Sequence, residues 1–423
     1  MRKMRPGIAA TTIVASVIAL AGTRGDSFRA TEPGDAAIVL WASTILDGRG
    51  HVLHDTRIVI QGGKIVRVDA KAEGRGYDLR GLTVMPGWID THVHIGWHFD
   101  AEGRLAGEKE PAAQAALGAA ANAWSTLQAG FTTIQSVGSP TDRDLRDAIA
   151  RGAIPGPRIL TSLEPIMGKG EETGTPEELR VMVGQRAKDG ADVIKIFASK
   201  SIREGRRQTL SQEQLAVLCG EAKKLGLRTV VHAYGPAVPA ASLAGCWQIE
   251  HGVYASDDDL KLLAEKGTYF DPQAGLVIQN YLDNKTRYLG IGNYTEEGFS
   301  IMQKVLTEDF ALFRRAIATP GLKVVFGTDA TAGAHGRNAE EFLFRVRECG
   351  QDAMAAMVSA NSLAAESLRM QDRIGAIAPG MEADIIALDG NPLKDITAVR
   401  RVVFVMKGGV VHRNSARKMR SNP

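Results

Sequence analysis

Apolar and polar positions alternate with a two-residue period in stretches near both ends of the chain: AAIVLWASTILDGRG (36–50) and TRIVIQGGKIVRVDA (56–70), then ADIIALDGNP (383–392) and RRVVFVMKGGVV (400–411). Alternation interrupted by Gly-rich turns predicts short antiparallel strands. Two such segments, 37–85 and 371–414, bracket the rest of the chain. They predict one small β-sandwich domain assembled from both ends.

Between them, over 86–370, apolar strand-like runs alternate with helical stretches. Strands are expected near 88–94, 132–136, 158–161, 193–197, 228–232, 248–251, 268–271 and 324–327. Helical segments separate them, such as the Ala-rich run between Pro111 and Gly130 and the stretch from Gln212 to Leu225 that stops at Gly226. Strands alternating with helices imply an α/β fold with a parallel sheet. Eight such units imply a closed (β/α)8 TIM barrel. No internal repeat or low-complexity linker interrupts the pattern.

The candidate chemistry sits at the ends of these strands. In PGWIDTHVH (86–94), His92 and His94 are two residues apart, so on a strand both imidazoles face one side and can converge on one cation. Lys195 lies in ADVIKIFAS, where both faces are apolar, and an unpaired buried ammonium is costly. A lysine that reacts with carbon dioxide becomes a carbamate, turning that cation into an anion able to bridge two metals. His232 ends RTVVHAYG, His251 ends WQIEHG, and Asp329 ends KVVFGTDA. Any one of these has an ordinary structural explanation, for instance a helix N-cap for the aspartate. Four His, one Lys and one Asp at successive strand ends point instead to a metal site. In a barrel of this kind the active site lies at the carboxyl ends of the strands, where these residues fall.

These stretches resemble the amidohydrolase superfamily, and within it the imidazolonepropionase-related branch of metal-dependent prolidases, Xaa-Arg dipeptidases and ochratoxin-hydrolysing amidases. The resemblance also rests on DLRDAIARGAIPGPRIL (144–160), on HGRNAEE from His335, and on IAPGMEADIIALDGNP near the C-terminus, and it covers nearly all of the expected mature chain. It implies a binuclear centre held by His92, His94, carbamylated Lys195, His232, His251 and Asp329. His92 and His94 are assigned to one ion and His232 and His251 to the other, with Lys195 as the bridge. Asp329 ligates a metal and accepts the proton of a metal-bridging hydroxide before passing it to the leaving amine. Nitrogen and oxygen donors favour zinc over calcium or magnesium for the two divalent ions.

Specificity then falls to the loops. Tyr234 resembles the family tyrosine that hydrogen-bonds substrate, and His335 lies in a segment resembling the one that lines the pocket mouth; a packing role and a surface loop are their respective alternatives. Lys200, Arg203, Arg206 and Arg207 form a basic cluster after the fourth strand, open to a substrate carboxylate or simply solvated. Gln135 and Ser136 stand where many relatives carry Arg-Asp, and Met167-Gly168-Lys169 where many carry Gly-Gly-His. These departures bear on the pocket rather than the metal ligands. The expected reaction is hydrolysis of an amide or peptide bond to a C-terminal amino acid, in a dipeptide or an N-acyl amino acid such as ochratoxin A. Lactone or phosphotriester hydrolysis at the same site is the alternative, followed by a non-catalytic scaffold, which would be expected to have lost ligands. Imidazolonepropionase activity fits less well, because that enzyme's single-metal site uses no bridging lysine.

Composition narrows the picture further. A chain of 423 residues, 44% hydrophobic and 23% charged, can bury a barrel-sized core. A formal net charge of +3, with neither zinc-finger cysteine spacing nor a phosphate-binding glycine loop, gives no reason to expect a nucleic-acid partner. A basic start, an apolar stretch from Ile8 to Ala21 and the small residues of Ala19-Leu20-Ala21 read as a signal peptide over 1–21. The stretch is short for a membrane span, and an uncleaved anchor is the alternative. The expected mature protein is exported, periplasmic or secreted, without a membrane segment. Family members often associate, so the resemblance leaves a homo-oligomer open. Three scattered cysteines, Cys219, Cys246 and Cys349, suggest buried free thiols by default, with room for one pair.

Overall fold

The alternating segments near the start of the chain form the strands Ile38–Leu46, Val52–Gln61 and Lys64–Val68 in antiparallel order. The computed structural model describes residues 36–107 and 110–415, so the expected signal segment 1–21 lies outside the described residues. Gln61 pairs with Lys64 across Gly62 and Gly63, whose φ angles of 56° and 75° supply the left-handed backbone that a two-residue hairpin turn requires. Thr83–Pro86 joins the two ends of the chain. It runs parallel to Ile38–Leu46 and antiparallel to Ile385–Leu388, which continues into Val402–Lys407 and Val410–Asn414. With Arg75–Asp78, these strands make one eight-stranded sheet. Leu40, Ile45, Ile58, Ile385 and Phe404 form its buried apolar face.

The middle of the chain supplies two parallel sheets. Trp88–Val93, Phe131–Ser136 and Arg158–Thr161 form a three-stranded sheet. Ile166–Met167, Val193–Phe197, Arg228–Ala233, Gln248–His251, Tyr269–Asp271 and Lys323–Val324 form a six-stranded one. Each expected strand is present, the last shorter than expected, and Ile166–Met167 is an addition. The fold is therefore mixed α/β with parallel sheets. The ladders themselves do not close into one ring. Backbone hydrogen bonds nevertheless run between the sheets on both sides: Thr91 N to Phe326 O at 3.0 Å and Asp329 N to His92 O at 2.7 Å, and Asp192 N to Thr161 O at 2.8 Å.

Helices follow most of these strands, and local sequence sets their limits. Thr175 and Glu178 form a reciprocal capping box ahead of Pro176–Lys188, and Ser211 and Gln214 do the same ahead of Gln212–Lys224. The Ala-rich helix Ala112–Gln128 stops before Gly130. Leu215, Leu218 and Ala222 bury one face of Gln212–Lys224 against Ile194, Ile196 and Val231 of the sheet. Cys219 on this helix is bonded to Cys246, just before Gln248–His251, while Cys349 is free and buried. The default of three free thiols is thereby corrected. A helix position and a loop position 27 residues apart meet only in the folded chain. Among the described residues, no helix is long and apolar enough to cross a membrane.

Candidate metal centre

Strand periodicity brings the expected ligands together. His92 lies on Trp88–Val93 and His94 just beyond it, Lys195 on Val193–Phe197, His232 on Arg228–Ala233 and His251 at the end of Gln248–His251. Asp329 is held beside them by its backbone hydrogen bond to His92. All six line one cavity of about 240 Å³. Asp329 Oδ1 is 3.0 Å from His94 Nε2 and 3.4 Å from His92 Nε2, and Lys195 Nζ is 3.2 Å from His92 Nε2. The His251 ring lies 4.6 Å from that of His232 and 5.5 Å from that of His92. Ligand atoms of His92, His251 and Asp329 all fall within 4.8 Å of one another, close enough to share one ion.

Backbone conformation confirms how tightly the site is prescribed. His251, Gln273 and Asp329 adopt φ of 66°, 46° and 50°, in the left-handed region that non-glycine residues rarely enter. Such positions cost about 1–3 kcal/mol each and persist where surrounding structure enforces them.

Electrostatics favour metal-binding protonation states. Burial holds the imidazoles of His92, His232 and His251 well below their ordinary pKa, keeping a lone pair available for a ligand. Burial likewise lowers Lys195, favouring the neutral amine that reacts with carbon dioxide. Burial alone would raise Asp329, but its surroundings, including a hydrogen bond from His94, outweigh it and hold the carboxylate ionised. His94 Nδ1 and His232 Nε2 are buried without a hydrogen-bond partner among the described residues. His94 Nδ1 faces Gly138, away from the Nε2 that meets Asp329, so the orphan that a divalent cation in the cavity would satisfy is His232 Nε2.

Behind this cluster lies a buried polar layer. Glu250 Oε2 is 2.6 Å from His92 Nδ1 and accepts from Gln273 Nε2 at 2.9 Å, while its Oε1 accepts from Gln248 Nε2 at 2.9 Å. Asp271 pairs with the fully buried Arg345 at 3.3 Å, and Arg345 also reaches Glu341 at 3.1 Å. His92, Glu250 and Asp271 form a second group with metal-like spacing. With burial and Glu250 raising the pKa of Asp271, and Arg345 paired to it, that group reads as the scaffold orienting His92.

Residues 83–411 match the Amidohydrolase family. The chain belongs to that family. This amidohydrolase is 27% identical to ochratoxinase of Aspergillus niger over 88% of this chain and 85% of that protein. It is 24% identical to imidazolonepropionase of Rhodococcus jostii over 84% of this chain and 87% of that protein. Among solved structures, a Xaa-Pro dipeptidase with methionine bound in its active site superimposes with a TM-score of 0.81 at 31% identity, covering 90% of this chain and 100% of that one. The protein is thus an enzyme, a hydrolase acting on C–N bonds.

Other residues singled out in the sequence divide between the cavity and its surroundings. Tyr234 lines the amidohydrolase cavity and stacks on His251, with ring centres 5.3 Å apart. His335 lies outside that cavity's lining, its Nε2 3.1 Å from the His94 carbonyl oxygen, and instead lines a separate surface depression with Trp124 and Arg400. Gln135 bridges Thr91 O and Arg228 Nη1, and Ser136 Oγ accepts from Ile95 N. Neither lines the cavity, whereas Met167 and Gly168 do. Glu250, Gln273 and Arg345 are not among the residues that the sequence pattern singles out. Only Glu250 carried a signal, standing directly before His251 in IEHG.

Proposed function

We propose that this amidohydrolase uses a binuclear metal centre to hydrolyse the amide bond to a C-terminal amino acid, in a dipeptide or an N-acyl amino acid. The observation that carries this reading is the convergence of His92, His94, Lys195, His232, His251 and Asp329 on one cavity. His92 and His94 would hold one ion, His232 and His251 the other, with Lys195 as a carbamate between them. Zinc suits this donor set. When bound, such ions lower the pKa of water and polarise the scissile carbonyl. Asp329, kept ionised by its neighbours, takes the proton of the attacking water and delivers it to the departing amine. Tyr234, which lines the cavity beside His251, would donate a hydrogen bond to substrate.

The reading extends to the rest of the chain. The two parallel sheets and the hydrogen bonds between them support a single (β/α)8 barrel over 86–370, with the sheet built from both chain ends as a second, smaller domain over 37–85 and 371–414. The Cys219–Cys246 disulfide supports export, with 1–21 as the signal segment, because such bonds persist in oxidising compartments. Names of the relatives support the substrate class: one cleaves Xaa-Pro dipeptides and another is an ochratoxinase.

The test is turnover of zinc-loaded protein on dipeptides, N-acyl amino acids including ochratoxin A, lactones and phosphotriesters, with a chelated control. Chelator-sensitive release of a free amino acid is expected. Activity confined to lactones or phosphotriesters would move the reaction to another bond, and silence across the panel would overturn the enzymatic reading.

A further inference from the structure

Of the four basic residues in the loop after Val193–Phe197, Arg206 and Arg207 are exposed and outside the cavity lining, while Lys200 and Arg203 both line the cavity with the metal-site residues, Lys200 exposed and Arg203 partly buried. Its guanidinium is fixed from three sides. Nε donates to Asn293 Oδ1 at 2.9 Å, the carbon Cζ lies 4.2 Å from the Tyr294 ring centre and 5.4 Å from that of Tyr281, and Nη1 reaches Met302 Sδ at only 3.8 Å. Asn293 is itself held by Glu204, to which its Nδ2 donates at 2.8 Å. Among the described residues, no carboxylate forms an ion pair with Arg203. The terminal nitrogens of the fork therefore have no carboxylate partner, although the side chain is partly withdrawn from water.

A desolvated cation without an anion is costly unless an anion arrives, and a guanidinium locked by aromatic faces has already given up the rotamer freedom that binding would remove. Arg203 and Asp329 line the same chamber, so the guanidinium and the hydrolytic centre share it. Val277, Ile278, Tyr281 and Met302 give that chamber an apolar wall. A planar fork in a chamber with an apolar wall suits a carboxylate attached to a carbon bearing a hydrophobic side chain.

We propose that Arg203 is the specificity-determining residue that binds the free carboxylate of the substrate's C-terminal amino acid. This rests on the amidase reading above, and it identifies which end of the substrate the enzyme requires to be free. A purely structural role for Arg203, packing between tyrosines, predicts no discrimination between charged and uncharged ligands.

The experiment measures calorimetric binding of 3-phenylpropanoate and 3-phenylpropan-1-ol, which contain no cleavable amide, to zinc-loaded full chain and to Arg203→Met and Arg203→Lys. Wild type should bind the carboxylate at least about tenfold tighter than the alcohol, as a charge-assisted fork contact allows. Arg203→Met should reduce the preference to within about twofold, and Arg203→Lys should restore part of it, since charge returns without the planar fork. A preference that survives in Arg203→Met, as it would if the carboxylate simply ligated zinc, overturns the proposal. So does wild type with no preference or no binding. Should the preference behave as expected while no substrate is hydrolysed, the carboxylate site stands and the amidase reading alone fails.

Discussion

The Nδ1 of His92 lies 2.6 Å from Oε2 of Glu250, both side chains fully buried. A carboxylate on one imidazole nitrogen fixes the tautomer and leaves the other, Nε2, with its lone pair toward Lys195 and Asp329. Glu250→Gln preserves volume but removes the charge that selects this tautomer. Zinc affinity, measured by competition with a chelator, should fall about 10–100-fold with little change in fold. Wild-type affinity in the variant would show that His92 needs no such partner.

Lys195 and Asp329 are separable by what each loss removes. Lys195→Ala deletes the proposed bridge between the two ions, so both bound metal and activity should drop; a variant retaining both would sink the binuclear assignment. Asp329→Asn keeps an oxygen donor but no longer accepts a proton. It should hold much of the metal while turnover falls about 10²–10⁴-fold. Near-normal turnover would remove Asp329 from proton transfer.

The parts of this site legible in the sequence are those that a two-residue period controls. His92 and His94 share a face because strands alternate, and His232 and His251 stand at strand ends that apolar runs announce. The partners behind them are not periodic features. Glu250 is 158 residues from His92 in the chain, and Arg345 reaches Asp271 across 74 residues. Such pairings are set by how strands assemble, which local pattern does not encode. Arg203 illustrates the same limit: the loop carries four basic residues, and only the folded chain, with its short helical turn Ile202–Glu204, brings Lys200 and Arg203 to the cavity and partly buries Arg203. Likewise, the Cys219–Cys246 pair depends on a helix docking beside a strand.

That disulfide ties the helix Gln212–Lys224 to the residues leading into the strand of His251. Closing a 27-residue separation restricts the unfolded chain, an effect of about 3–4 kcal/mol. Cys219→Ser with Cys246→Ser, or reduction of the native protein, should therefore lower the thermal midpoint, while zinc binding at low temperature changes little. An unchanged midpoint under reducing conditions would show that the bond contributes nothing to stability.

Gly327 occupies the tightest position in the site. A Cβ there would fall 1.8 Å from Asp271 Oδ2 and 3.1 Å from the Cβ of His92. Neither neighbour is free to retreat, since Asp271 Oδ1 also accepts the Gly327 N–H at 3.1 Å and pairs with Arg345, and His92 is clamped by Glu250. Gly327→Ala should destabilise the fold by about 1–3 kcal/mol, as overpacking of a filled interior does, and should weaken zinc binding through His92. The control is Gly184→Ala, within the helix Pro176–Lys188, where an added Cβ meets nothing within 4 Å. Exchanging glycine for alanine inside an open helix should raise stability by about 0.5–1 kcal/mol. If both variants melt alike, the close approach at Gly327 is not what holds His92 and Asp271 in place.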